Sequence, residues 1–348
     1  MKIVGRLPIR MIGAVSIIAV SICTGLLLLE VVTRLLFPNF DPTDRLELNY
    51  RVGNLWLGRP GTTLRQIKNT GDYDVIVNIN KHGLRDTKDI SKATSKDLVV
   101  MGDSFAWGWG VESNERFSDR LQEITGRQTF NLATPTDIEG YTELLDYGKS
   151  LGADIGQLVL TICMENDIRF YDKPSYKTQP QKKSILVNLK RWLTSKSALY
   201  VIVSTTVHQT PQLKGLAAHF GFLIANLEGG SKIRFDADAI ESSARKLEAL
   251  VKHHRILVVL IPSRYLWVGP NREIEDRVHR AFAASLQNRD INVLDLRPAF
   301  EKGGAPLSYH FFNDGHWTAR GHALASEEIA RCLDKRVIGT DLDCCQRC

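Results

Sequence analysis

The chain contains the run Leu98-Val99-Val100-Met101-Gly102-Asp103-Ser104-Phe105, in which four apolar residues pass directly into a turn that carries a hydroxyl group. A short, continuous apolar run is typical of a parallel strand that is buried on both faces. In an open α/β sheet, ligands bind in the crevice at the carboxyl ends of the strands. Ser104 therefore stands where a nucleophile is expected, at the end of a predicted strand.

Four more apolar runs follow, and helical patterns separate them. This alternation predicts a parallel sheet with helices on both faces. We therefore expect a flavodoxin-like α/β/α domain with three layers and five parallel strands. The predicted strands are 98–101, 129–132, 158–163, 256–261 and 291–296, and the predicted helices are 117–125, 140–151, 236–253, 271–287 and 318–333.

The N-terminal region predicts one transmembrane helix. No charged residue occurs between positions 11 and 29, which is close to the roughly 20 residues that a helix needs to cross a bilayer. Lys2, Arg6 and Arg10 precede this run, so the positive-inside tendency places the N-terminus in the cytoplasm and the later chain in the periplasm or at the cell surface. A cleaved signal peptide is the main alternative, although the run is longer than a usual signal core. A buried helix is a third possibility.

The chain after the anchor contains an unusually long insertion between the third and fourth predicted strands. Its apolar residues between positions 185 and 203 have the spacing of an amphipathic helix. Packing as a second buried face, covering the site as a lid, and contact with the membrane surface are the three possibilities for this helix. The predicted parts are the tip and anchor at 1–37, a lead-in at 38–96, the main domain at 97–335 with its insertion at 169–235, and a Cys-rich tail at 336–348.

Charge and cysteine content narrow the class of protein. The net charge of +6 is spread among residues of both signs, which does not indicate nucleic-acid binding. Outside the cytoplasm, Cys332, Cys344, Cys345 and Cys348 could form one or two disulfides, with a pairing that the sequence leaves open; thiols that stay free are the alternative. The tail has no histidine near these cysteines, which argues against a metal site. We predict no metal and no cofactor.

A histidine near the C-terminal end completes a candidate catalytic set. The run Phe311-Phe312-Asn313-Asp314-Gly315-His316-Trp317 places a carboxylate two residues before His316. A serine hydroxyl needs an adjacent base, and that base needs a third group to fix its tautomer. Ser104, His316 and Asp314 therefore predict Ser-His-Asp chemistry.

Four short motifs in this order resemble the four conserved blocks of the SGNH/GDSL hydrolase superfamily. They are Gly102-Asp103-Ser104-Phe105, Asn131-Leu132 with the following loop, Glu165-Asn166-Asp167 and Asp314-Gly315-His316. The resemblance covers residues 97–333. It implies that Ser104 is the nucleophile, His316 the general base and Asp314 its orienting carboxylate. It also implies an oxyanion hole made by the side chain of Asn166 and the backbone N–H groups of Ser104 and Thr136, and it makes Asp103 a residue that stabilises the turn.

The chain departs from the family pattern at three places. Thr136 and Met164 stand where many relatives have glycine, and Asp314 is two residues before His316 instead of three. This Asp-x-His-Trp spacing resembles that of membrane-linked polysaccharide O-acetylation proteins. Beside the motifs, Trp107 and Trp109 are candidates for stacking on a sugar ring, with core packing as the alternative, and Trp317 is expected to pack in the core.

These observations predict a serine esterase that acts on ester groups, most simply O-acetyl groups, of an envelope or exported glycan. An O-acyltransferase that uses the same residues is one alternative. A non-catalytic glycan-binding or assembly protein with a degenerate fold is another, and lipid hydrolysis beside the bilayer is a third. The expected partners are an ester substrate, the membrane and polysaccharide-assembly proteins.

Overall fold

The computed structural model describes residues 9–43, 45–171, 185–220, 234–252 and 254–337. Cys344, Cys345 and Cys348 lie outside the described residues, and so does the question of their disulfide pairing. Contacts divide the chain into two units. The first comprises Met1–Asp44, Asn69–Gly71 and Lys182–Leu216, and the second comprises Arg45–Lys68, Asp72–Gln181 and Ala217–Cys348.

The elements follow one another in the order that the sequence predicts for the main domain. The helices are α1 (Ile9–Leu36), α2 (Ser104–Trp107), α3 (Phe117–Thr125), α4 (Ile138–Ser150), α5 (Ile185–Lys196), α6 (Ala198–Gln209), α7 (Pro211–His219), α8 (Ala237–Val251), α9 (Arg272–Gln287), α10 (Arg297–Lys302) and α11 (Ala319–Val337). The strands are β1 (Tyr50–Val52), β2 (Leu55–Leu57), β3 (Thr63–Ile67), β4 (Asp74–Asn78), β5 (Leu98–Met101), β6 (Thr129–Asn131), β7 (Gln157–Cys163), β8 (Arg255–Ile261) and β9 (Val293–Asp295).

The central sheet of the described chain has five strands in the order β6-β5-β7-β8-β9. All of its pairings are parallel. This confirms the predicted flavodoxin-like fold class. The fifth strand is shorter than the predicted 291–296, because only Val293–Asp295 pairs with β8.

The strand order creates a switch point beside β5. Val100 pairs with Asn131 of β6 on one side and with Val159 of β7 on the other. The connections that leave β5 and β7 therefore run in opposite directions across the sheet, and a crevice opens between the carboxyl ends of these two strands. Ser104 follows β5 directly, and Asn166 follows β7.

Both faces of the sheet are covered, as a buried parallel sheet requires. Along β5, Leu98 and Val100 belong to one hydrophobic cluster, and Val99 and Met101 belong to the other. This alternation follows from the two-residue period of a strand. The cluster around Val99 includes buried residues of α4, α8 and α9, and the cluster around Val100 includes buried residues of α3, α10 and α11.

The lead-in segment forms small antiparallel sheets. In the second of them, β3 pairs with β4 from Thr63↔Asn78 to Ile67↔Asp74. Val75 and Val77 are buried and Ile76 is exposed, so the alternating pattern in this part of the sequence marks a strand with one face in the core. The end of this hairpin supplies residues to the site described below.

The first unit contains α1 and the insertion helices α5 and α6. Within α1, Gly13–Leu36 is long and apolar enough to cross a membrane, with a mean hydropathy of 2.4, although a signal sequence has the same properties. The single amphipathic helix expected at 185–203 is wrong. The chain forms two helices there, because the Ser197 side chain accepts a hydrogen bond from the Tyr200 amide at 3.1 Å and caps the start of α6.

We expect Gly102→Ala to destabilise the protein by about 1–3 kcal/mol, because a Cβ atom there would overlap Oγ1 of Thr161 on β7 and lie 2.9 Å from the Cβ atom of Ala106. The midpoint of urea unfolding measures this loss. Gly215→Ala is the matched control, since nothing lies within 4 Å of the added atom in α7. An unchanged midpoint for Gly102→Ala would show that β5 and β7 tolerate a side chain between them.

Candidate active site

Ser104 is held at the first position of α2, directly after the switch-point strand. The side chain of Asp103 accepts a hydrogen bond from the Phe105 amide at 2.9 Å and caps this short helix. Gly108 ends the helix in the left-handed conformation, with φ of 86°. The serine hydroxyl is thus presented by a turn whose ends are both fixed, and Asp103 acts as the turn-stabilising residue that its position suggested.

The structure brings Ser104, His316 and Asp314 together in one hydrogen-bonded chain. Nε2 of His316 lies 2.8 Å from Oγ of Ser104, although the two residues are 212 positions apart. Nδ1 of the same ring bonds Oδ1 of Asp314, which also accepts the His316 backbone N–H at 3.1 Å. With its Nδ1 proton directed to Asp314, the imidazole offers Nε2 as the acceptor for the serine proton.

Two aromatic rings hold the imidazole of His316 in place. Trp109 stacks on it with the ring centroids 5.6 Å apart and an interplanar angle of 25°. Phe105 contacts it at 5.1 Å. Packing of this kind restricts the ring to the orientation that serves both hydrogen bonds.

The second carboxylate oxygen of Asp314 has partners from the lead-in segment. Oδ2 accepts a hydrogen bond from Nζ of Lys68 at 2.6 Å and another from the Tyr73 hydroxyl at 3.3 Å. Burial alone would raise the pKa of Asp314, but the hydrogen bond and charge of His316 together with Lys68 outweigh it and hold this pKa well below its usual range. Asp314 therefore stays ionised at pH values where an ordinary aspartate would be protonated.

Lys68, Tyr73 and Asp72 are functional candidates that the sequence analysis missed. Tyr73 accepts a hydrogen bond from Nε1 of Trp109 at 2.6 Å, and Asp72 accepts one from the Asn313 amide at 2.9 Å. Lys68 is 246 positions away from Asp314, and it belongs to a turn-rich stretch with no motif. No local signal in the sequence could have found it.

The acidic residues beneath the site have a different environment from Asp314. Burial raises the pKa of Asp103 to about 6 and raises that of Asp167 well above its usual value. Asp167 accepts hydrogen bonds from the Tyr141 hydroxyl at 2.8 Å and from the Cys163 amide at 2.9 Å. It thus fixes the turn after β7 from inside, one residue beyond Asn166.

Asn166 lies on this turn with its side chain exposed. Its backbone amide donates to the Cys163 carbonyl at 3.2 Å. Within the described chain, its side-chain amide makes no hydrogen bond, which leaves the amide available to a ligand. Its role as an oxyanion donor stays a prediction.

The loop after β6 carries the second motif. Nδ2 of Asn131 donates to the Ala106 carbonyl at 2.8 Å and to the Ser118 hydroxyl at 3.1 Å, so this side chain ties β6 to α2 and α3. Thr136 is half-buried further along the loop. A Cβ atom at Gly140 would overlap its side chain, which explains why glycine occupies that position of α4. The contribution of the Thr136 backbone N–H also stays a prediction.

The two tryptophans proposed for substrate contact differ in their burial. Trp107 is 1% exposed and packs against the Arg85 guanidinium at 4.7 Å. A buried ring has no free face for a ligand, so the expectation of substrate stacking is corrected for Trp107. Trp109 is partly exposed beside His316 and remains a candidate. Trp317 is fully buried, as expected.

The neighbouring histidines are unsuited to act as the base. His310 and His322 are buried, and burial lowers the pKa of His310 to about 4 and that of His322 to about 3. Nδ1 of His322 is also occupied, since it accepts the Phe117 backbone N–H at 3.3 Å. His316 is the histidine that contacts Ser104.

At the carboxyl edge of the parallel sheet, a serine hydroxyl is hydrogen-bonded to a histidine, and the histidine is hydrogen-bonded to an aspartate. This is the arrangement of a serine hydrolase. Residues 100–324 match the GDSL-like lipase/acylhydrolase family. The chain belongs to this family, within the SGNH/GDSL superfamily, and is an ester-hydrolysing enzyme. No curated protein matches it.

Several solved structures resemble the chain at low sequence identity. A lipase/acylhydrolase from Enterococcus faecalis is 11% identical, with a TM-score of 0.41, and the match covers 69% of this chain and 96% of that one. A carbohydrate esterase family 2 enzyme from Corynascus is 11% identical, with a TM-score of 0.40 and coverage of 71% and 68%. An acetyl-xylooligosaccharide esterase variant from Geobacillus is 11% identical, with a TM-score of 0.37 and coverage of 69% and 95%.

Lys68→Met is expected to lower kcat/KM for ester hydrolysis by about tenfold, the effect of losing one charge-assisted hydrogen bond. Without the ammonium group the pKa of Asp314 rises. Asp314 is then protonated, and the site inactivated, at a higher pH than in the parent enzyme. The acidic limb of the pH profile therefore moves to higher pH. Lys92→Met, on the exposed surface, is the matched control. A profile identical to that of the parent enzyme would exclude this role for Lys68.

Proposed function

We propose that this protein is a membrane-anchored serine esterase that removes O-acetyl groups from an envelope or exported glycan on the extracytoplasmic side. The observation that carries the proposal is the hydrogen-bonded chain from Asp314 through His316 to Ser104 at the switch point of the sheet. Acyl transfer through a serine requires a nucleophile, a base and a group that orients the base, and these three residues are hydrogen-bonded to one another in that order.

The reaction follows from the positions of these atoms. Oγ of Ser104 attacks the acetyl carbonyl while Nε2 of His316 takes the serine proton. The tetrahedral intermediate collapses as His316 gives that proton to the departing sugar oxygen, which leaves an acetyl ester on Ser104. His316 then removes a proton from water, and the hydroxide adds to the acetyl carbonyl. The intermediate collapses as His316 returns that proton to the oxygen of Ser104, and acetic acid leaves and ionises to acetate in water. Asp314 stays ionised and stabilises the imidazolium in both halves.

Asn166 and two backbone groups are proposed to stabilise the oxyanion. The side-chain amide of Asn166 would donate from the end of β7, and the backbone N–H groups of Ser104 and Thr136 would donate from the ends of β5 and β6. Donors that are already oriented toward the developing charge stabilise the transition state by about 3–4 kcal/mol each. The exposed amide of Asn166, with no partner of its own in the described chain, supports this role.

A glycan substrate is supported by the partly exposed indole of Trp109 beside His316. Its ring can stack on the apolar face of a sugar while the ester lies over Ser104. The Asp-x-His-Trp spacing supports the same class of substrate. The basic residues Lys2, Arg6 and Arg10, which precede the apolar run at 11–29, support a cytoplasmic N-terminus and an extracytoplasmic main domain.

Hydrolysis and transfer differ only in the acceptor of the acyl group. Water gives acetate, whereas a sugar hydroxyl in the same place gives a new ester. A reaction with a panel of acetylated glycans and unacetylated acceptors separates them, because free acetate and acetylated acceptor are measured in the same sample. Acetate as the main product supports the proposal, and transfer that exceeds acetate release assigns the same residues to an O-acyltransferase.

Ser104→Ala should lower hydrolysis of an activated acetyl ester by about 10⁴-fold or more, because the residue that forms the acyl-enzyme is gone. It should also abolish labelling by a fluorophosphonate. Ser150→Ala, an exposed serine at the end of α4, is the control that keeps both. Folded parent protein that takes up no label would favour the non-catalytic glycan-binding alternative.

Asn166→Ala is expected to lower kcat by about 10²–10³-fold with little change in KM, because the amide acts on the oxyanion and not on the ground-state ester. Steady-state kinetics on the same ester separate the two constants. Asn288→Ala, at the exposed end of α9, serves as the matched control. A raised KM with an unchanged kcat would instead make Asn166 a substrate-binding residue.

A further inference from the structure

The turn between α5 and α6, at residues 196–198, forms a corner that is hydrogen-bonded to the carboxylate of Glu30 on α1. These bonds are called the tie below. Oε2 of Glu30 accepts hydrogen bonds from the Ser197 hydroxyl at 2.8 Å and from the Leu199 amide at 3.0 Å. Oε1 accepts one from the Ala198 amide at 2.9 Å. The first backbone N–H groups of a helix have no partner within the helix, so Glu30 caps α6 from another element of the same unit.

Arg34 completes the tie from the next turn of α1. Its Nε bonds Oε1 of Glu30 at 2.8 Å, and its Nη2 donates to the carbonyl of Lys196 at 2.7 Å. Lys196 is the last residue of α5, where backbone carbonyls lack helical partners. One Glu-Arg pair on α1 thus holds the end of α5 and the start of α6.

The position of Glu30 along α1 sets the depth of this corner. Positions 11–29 carry no charge, so Glu30 is the first charged residue after the apolar run. In a spanning helix, such a residue lies where the hydrocarbon core meets the headgroups. The 19 uncharged residues from 11 to 29 extend about 28 Å along the helix axis, close to the roughly 30 Å thickness of the hydrocarbon core. The tie therefore places the corner at the level of the membrane interface.

The face of α5 next to this corner has the composition of an interfacial helix. Leu189 and Trp192 are three residues apart and are 49% and 58% exposed, so they form one apolar strip on the helix. Lys190, Arg191 and Lys196 are also exposed. Tryptophan is enriched at membrane interfaces, and lysine and arginine place their charges among the headgroups.

We propose that the strip formed by Leu189 and Trp192 is inserted in the interface of the same bilayer that α1 spans, with the basic side chains of α5 on the lipid phosphates. The occupant of this surface is thus phospholipid, and the insertion serves as a second membrane contact. The inference rests on the anchoring role proposed for α1. It is independent of the chemistry at Ser104.

Photo-crosslinking in a bilayer tests this directly. The full chain is placed in nanodiscs of phosphatidylcholine and phosphatidylglycerol, with a photoreactive amino acid in place of Leu189 or Trp192. The same amino acid in place of Val20, an exposed position of α1, is the positive control. Glu273, exposed on α9 in the other unit, is the negative control. Mass spectrometry measures the yield of lipid adduct at each position.

Lipid adducts at positions 189 and 192 are expected, several-fold above the yield at position 273. Glu30→Ala should lower the yield at 192 several-fold and leave that at 20 unchanged, because the tie is lost and the span is not. Adducts at 20 without adducts at 189 and 192 overturn this inference alone. The absence of an adduct at position 20 overturns both the anchoring role of α1 and this inference. A protein adduct of doubled mass at position 192 also overturns the inference, because it assigns the strip to a contact with a second copy of the chain.

Discussion

The parallel pairing of β5 between β6 and β7 is the constraint on which the site depends. Backbone hydrogen bonds on both sides of β5 fix where the strand ends, and Gly102 lets the chain pass close to Thr161 of β7. Asp103 then caps α2, so the hydroxyl of Ser104 emerges in the crevice and not along the strand. Asn166 follows β7, which is the neighbour of β5 across the switch point.

Charge balance is the second constraint. A buried carboxylate is unfavourable unless it is paired, and Asp314 has both the imidazole of His316 and the ammonium group of Lys68. Asp167 is buried with no ion pair among the described residues, and burial raises its pKa instead. The same residue type therefore serves as an ionised partner in one place and as a turn support in another. Because Lys68 comes from the β3–β4 hairpin, the lead-in segment is part of the site.

Features with a local pattern were predicted well. The five strands of the sheet were located correctly, apart from the length of the fifth, because a strand buried on both faces is a continuous apolar run. Asp314 and His316 could be paired because only Gly315 lies between them. Trp107 and Trp109 could not be told apart, since both are indoles beside the same motif and only packing buries one of them. The break at Ser197 escaped notice because the apolar spacing continues across it.

The fold class, the family and the apolar N-terminal helix follow from the amino-acid sequence alone, since each is marked by short local patterns and by their order along the chain. The tertiary structure determines the partners of Asp314, the burial of Trp107 and the hydrogen bond between Glu30 and Ser197. Those contacts join residues far apart in the chain, 246 positions for Lys68 with Asp314 and 167 for Glu30 with Ser197. Their energies depend on distance and burial in space, which no local pattern of residues encodes.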